Sequence, residues 1–186
     1  MRPICAAFLF AALLLAGCAV APPNAVSPSA AIGSGSFGPL HVNHLRIPAD
    51  VEEYLRLTAR GVQVFRCERV ETVYLWRFVQ PDAQLFDSRG RAVATHGADF
   101  SFRHIDGSAL ATHIVAYEDI PNVKDLRPVL MAATSSGKGA FAAAVDVARI
   151  ENNGGLPPAS CKSGDVGRVL RVPFTADFVF FRKRTH

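Results

Sequence analysis

His96, His104 and His113 fall within 18 residues, with Asp99 and Asp106 between them. Neutral imidazoles beside carboxylates are the donor set of a zinc site, and also of general acid and base work. The spacing delivers neither, because no two of these histidines stand in a His-x-x-x-His frame that would place both on one face. No metal and no cofactor are expected. His96, which ends an apolar run at Gly97, and Asp99 remain as candidate functional polar residues. Glu118 and Asp119 are adjacent, so in a strand they point to opposite faces and cannot share a proton-transfer task. A Gly-x-Ser-x-Gly elbow is missing, and "SSGKGAF" (Ser135 to Phe141) lacks the glycine spacing and the hydroxyl after lysine of a phosphate loop. No catalytic residue is assigned. Tyr74, Trp76 and Phe78 alternate, which fits a core-facing strand or a flat surface for sugar rings. Trp76 and Phe102 are the candidate aromatic platform.

The sulfur atoms say more. From Pro3 to Gly17 the chain carries no charge, and the apolar stretch Cys5 to Cys18 is about 14 residues, shorter than the roughly 20 a membrane-crossing helix needs. A basic start at Arg2, an apolar middle and a small-residue exit make a secretory signal. Leu15, Ala16, Gly17 and Cys18 resemble the lipobox of bacterial lipoproteins. That resemblance implies cleavage before Cys18 and acylation of its sulfur and its new amino group. Several acyl chains, at about 0.8 kcal/mol per buried methylene, anchor a protein stably where one would not. Ala19 stands where an aspartate would mark inner-membrane retention. The expected address is the outer membrane, facing the periplasm.

Cleavage leaves 169 residues (186 − 17), enough for one domain with a proper core. Lys plus Arg falls from 20 to 19 against 16 acids, a net charge of +3. That is too mild for a nucleic-acid footprint. The one dense basic cluster is Arg182, Lys183 and Arg184, so partners are expected to be the membrane, through the anchor, and an envelope polysaccharide or protein. With Cys5 removed and Cys18 lipidated, Cys67 and Cys161 remain. An even pair in an oxidising compartment reads as a disulfide.

These residues must be positioned by sheet. Residues 18 to 45, rich in Pro, Ser, Gly and Ala, read as a tether that cannot bury enough apolar area to fold; residues 46 to 186 read as the domain. Short β-rich runs follow one another: Tyr54 to Ala59, a turn at Gly61, then Val62 to Cys67, Val73 to Val79, Ala83 to Phe86, Ala92 to Thr95 and Asp99 to His104. Ala109 to Tyr117, Val129 to Ser135, Phe141 to Ile150, Val169 to Val172 and Asp177 to Phe181 complete the set. "IDGS" (Ile105 to Ser108) and "ENNGG" (Glu151 to Gly155) read as turns. Val73 to Val79, apolar on both faces, reads as a central strand. The predicted class is all-β, a single-domain β-sandwich or jelly-roll-like barrel of about ten short strands.

"GVQVFRCE", "AQLFDSRGRAVATH", "VARIENNGGLPPASC" and "VPFTADFVFF" together resemble the domain of unknown function 3455 family. The likeness runs from about Ile47 to Phe181. It implies a secreted or envelope β domain, carries no activity, and includes both Cys67 and Cys161. After His96 the family's Ala-Gly-Pro and tryptophan are replaced here by "GADFSF" (Gly97 to Phe102). The functional expectation is a membrane-anchored envelope lipoprotein with a binding or structural role. The alternative is an enzyme on envelope glycans that would bring His96, Asp99 or Glu118 beside an aromatic groove.

Overall fold

The computed structural model describes residues 41–42, 45–122 and 124–185. Ten strands are present among them. β1 (His41–Val42) and β2 (Leu45–Arg46) form a small ladder of their own. The other eight are β3 (Val51–Val70), β4 (Val73–Phe86), β5 (Ala92–His96), β6 (Phe102–His104), β7 (Ala109–Tyr117), β8 (Val129–Ser136), β9 (Asp146–Gly154) and β10 (Val169–Lys183). Each pairs antiparallel with the next, and β10 returns to β3, so the sheet closes into a barrel. The all-β expectation holds in its barrel form. The connectivity is a plain up-and-down meander without jelly-roll crossovers.

Period-two alternation explains which way each strand faces. On β10, Phe174, Ala176, Phe178 and Phe180 enter the barrel, while Val179 and Phe181 face outward. The interior is aromatic. Phe102 meets Phe178 edge-on at 5.0 Å, and Phe141 stacks on Phe180 at 4.8 Å. Such pairs add about 0.5–1.5 kcal/mol each beyond the area they bury. Outside, Leu130, Ala148, Ile150, Val179 and Phe181 form a second apolar cluster, and Leu45, Ile47 and Val51 cover it. Leu45, the last residue of the segment read as tether, is therefore part of the folded body, with 3% of its surface exposed.

Several strand boundaries differ from expectation. The two runs on either side of Gly61 are one continuous β3 of 20 residues. Gly61 is not a turn: it is the point of closest approach to β4, where a Cβ would lie inside the contact shells of the Asp82 carbonyl and the Ala83 side chain. Gly61→Ala is expected to destabilise by about 1–3 kcal/mol, the range for overpacking, which the urea midpoint would report. Likewise Val73 to Val79 and Ala83 to Phe86 are one strand, β4, that runs through Pro81. Only Ala83 to Phe86 pair with β5, so the first half of β4 has β3 alone as a partner and is not central. Proline, lacking an N–H, is tolerated on such an edge beside the register shift at Val64/Phe65. The alanine-rich run is strand only from Asp146, Phe141 being the buried plug of a turn. The strand expected from Asp99 begins at Phe102, and β9 continues through "ENNG".

One end of the barrel carries the connections 87–91, 105–108 and 137–145, and hydrogen bonds tie the last two together. The Asp106 carboxylate accepts hydrogen bonds from Ser108 Oγ (2.6 Å) and Ala140 N (2.7 Å), while Phe141 N donates to Ser108 Oγ. Tyr54 donates its hydroxyl proton to the Ala140 carbonyl, closing the same end. The other end carries the tight β3–β4 turn at residues 71–72, residues 97–101 and the two longest connections, residues 118–128 and residues 155–168.

Candidate ligand site in the barrel

His96 is the most buried of the titratable residues singled out from sequence. The last residue of β5, it points into the barrel with 2% of its surface exposed. Its ring stacks on Phe102 at 4.1 Å and meets Phe178 edge-on at 5.1 Å. Nδ1 lies 3.1 Å from the Ser101 carbonyl, which can only accept, so Nδ1 carries the proton and Nε2 is left as an acceptor. Burial depresses the imidazole pKa from 6.5 to about 3; the Ser101 hydrogen bond opposes this and the charge of Arg149 adds to it. His96 is therefore a neutral polar group in an apolar wall.

The remaining expected site residues do not gather around it. Asp99 is exposed, on the short 3-10 turn Ala98–Phe100. It and Phe100 both hold left-handed backbone angles, φ 56° and 53°, a strained pair for residues with side chains. Trp76 sits opposite Cys67 near the tip of the β3–β4 hairpin. Phe102 has 0% of its surface exposed and is core, so Trp76 and Phe102 make no common platform. Phe78 is 41% exposed, edge-on to its ladder partner Phe65 at 5.7 Å and stacked on Phe100 at 5.6 Å. Cys67 and Cys161 are joined as a disulfide. Cys18 lies outside the described residues. Glu118 follows β7, on a different connection from Asp99, and no hydrogen bond joins it to His96 or Asp99 among the described residues.

Arg149 is the residue that the sequence reading missed. Its neighbours Ala148 and Ile150 belong to the outer cluster and Val147 to the inner one, which places Arg149 on the inward face of β9. In the eight-strand ring β5 and β9 are four strands apart in either direction, so Arg149 and His96 approach from opposite walls. Arg149 has 8% of its surface exposed. Its Nη2 donates to the Arg127 carbonyl at 2.9 Å, and its Nε has no partner. Burial lowers its pKa to about 10, which leaves it cationic at neutral pH. Nearby in chain and topology are other buried, unpartnered side-chain atoms: both amide atoms of Asn152 on β9, Gln63 Nε2 on β3 and Glu118 Oε2 after β7. Gln63, Asn152 and Glu118 all lie toward the long-loop end of their strands. A signal was available in "VARI", where a cation interrupts an apolar run at an inward position.

Compared with protein-family models, residues 48–182 match the family described as a protein of unknown function, DUF3455. Neither the curated proteins nor the solved structures yield a match.

Proposed function

Since the chain belongs to the DUF3455 family, whose description assigns no activity, we propose from its own residues that it is a cell-envelope lipoprotein, held to the outer membrane by acyl chains on Cys18, whose barrel binds a small molecule without transforming it. One observation carries the binding role: among the described residues, five buried side-chain polar atoms without partners, on Gln63, Glu118, Arg149 and Asn152. Folded domains leave few such atoms, because each costs about 1–3 kcal/mol of desolvation, more when charged. A ligand that supplies the missing partners offsets that cost. The anchor rests on the lipobox-like residues before Cys18, and the disulfide suits an oxidising compartment.

Two measurements test the reading. Cys18→Ser is expected to abolish incorporation of labelled acyl chains and to move the protein from the membrane to the soluble fraction; unchanged fractionation defeats the anchor. Native mass spectrometry of protein extracted gently from its membranes is expected to show a mass excess that denaturation releases. A bare polypeptide mass, with acyl chains alone, would sink the binding role.

A further inference from the structure

Resting on that binding role, the geometry points to the chemical class of the ligand: we infer that the barrel takes a small carboxylate, held by the Arg149 fork opposite His96. Arg149 has one recorded hydrogen bond, to a neutral backbone carbonyl, and among the described residues no acidic side chain pairs with it. A buried cation in this condition is expensive, and a protein without use for it would be better served by an apolar residue of the same volume. Glu118 carries a buried carboxylate oxygen at the same end, but no hydrogen bond or ion pair joins it to Arg149 among the described residues, so the guanidinium fork is left for a ligand.

The shape of the donor set narrows the anion. Guanidinium presents parallel N–H groups that match the two oxygens of a carboxylate, and the free Nε is the edge from which such a bidentate pair forms. His96 cannot serve as a second cation, since burial keeps it neutral. A doubly charged ligand such as a phosphate monoester would leave one charge uncompensated. Around the fork the walls are apolar, with Phe178 opposite Arg149 on β10 and Val129 opposite it on β8. Phe174 and Phe178 both face inward. The body of the ligand is accordingly apolar, and Asn152, with both amide atoms free, can address one further polar group.

The probes are benzoate and its neutral counterpart benzamide, added at millimolar concentration to the full-length protein in a neutral detergent and followed by thermal unfolding. Two dipeptides of Ala-Phe, with free and with amidated C-terminus, separate a free organic acid from a peptide end as the source of the carboxylate. Benzoate is expected to raise the melting temperature while benzamide does not. Arg149→Met, which removes the buried charge while keeping volume, should fold with an undiminished midpoint and bind benzoate at least 100-fold more weakly. Arg149→Lys keeps the charge but loses the fork, and should weaken binding about tenfold. Equal responses to benzoate and benzamide, or an Arg149→Met variant that responds like the wild type, would overturn the inference. If the native mass shows a neutral molecule and benzoate does nothing, the carboxylate assignment falls while the binding role stands; a bare mass with no probe response removes both.

Discussion

Opening the Cys67–Cys161 disulfide is expected to lower the stability of the domain by about 4–5 kcal/mol. The bridge joins residues 94 apart in sequence, and chain-entropy arguments assign a loop of that size close to 4.7 kcal/mol through restriction of the unfolded chain. For a domain whose whole margin is on the order of 5–15 kcal/mol, that is a large share. The local consequence follows from what the bridge fastens. Residues 155–168 cross the end of the β3–β4 hairpin with little strand structure of their own. Besides the bridge they hold on by Cys161 N to the Tyr74 carbonyl (3.1 Å), Cys67 N to the Arg168 carbonyl (2.9 Å) and Gly167 N to the Cys67 carbonyl (2.9 Å). Cys67 itself is fully buried. Urea unfolding with and without reductant, followed through the single tryptophan, Trp76, which faces Cys67 across the ladder, measures the effect. The Cys67→Ala, Cys161→Ala double variant should match the reduced protein. A midpoint that moves by less than about 1 kcal/mol in both would show that the unfolded chain is already restrained by other means.

That bridge was legible from cysteine counting alone, as was the all-β class. The choice between sandwich and barrel was not. Each hairpin is a local event that alternation and turn residues announce, whereas the pairing of β10 with β3 joins Phe174 to Gly61, a contact between distant parts of the chain. Gly61 reads as a turn, and the runs Val73 to Val79 and Ala83 to Phe86 stop on either side of Pro81; both residues weaken a strand on intrinsic grounds. The structure uses them for what only they tolerate, a close backbone approach at Gly61 and a missing N–H at the unpaired edge of β4. The alanines at 142–144 gave neither helix nor strand, since Phe141 fixes the turn by plugging the barrel. In the site, His96 was found because it ends an apolar run at a glycine. Arg149, Gln63 and Asn152 were overlooked because their significance lies in burial without a partner, a property of the closed barrel and not of any short window of sequence. Trp76, Phe78 and Phe102 show the converse: aromatic spacing alone did not say which rings turn inward.

Acidification should weaken the fold well before the carboxylates titrate, and His96 supplies the cause. In the unfolded chain its imidazole protonates near 6.5, while in the barrel burial holds that value down at about 3. Between those limits the unfolded state binds one proton more than the folded state, so stability falls as pH is lowered, by about 1.4 kcal/mol per pH unit. The full window corresponds to about 4–5 kcal/mol, present above pH 6.5 and lost by pH 3. Asp50, Asp87, Asp106 and Asp165, each held below the usual carboxylate range by hydrogen bonds or by neighbouring Lys and Arg, lose their contributions only below about pH 4. From 6.5 to 4.5 the histidine dominates, with an expected loss of about 2–3 kcal/mol, while Asp146, raised by burial, binds its proton more readily in the folded state and opposes part of that loss toward the lower limit. The groups facing His96 are the rings of Phe100, Phe102 and Phe178, which do not titrate, and Arg149, which stays charged throughout. His96→Gln keeps a polar side chain at the site but cannot take up the proton, so its stability should not fall over that interval. Urea titrations of the two proteins at pH 7, 5.5 and 4.5 give the comparison. Parallel slopes in wild type and variant would mean that the imidazole accepts its proton inside the folded barrel, with water or a ligand oxygen reaching Nε2.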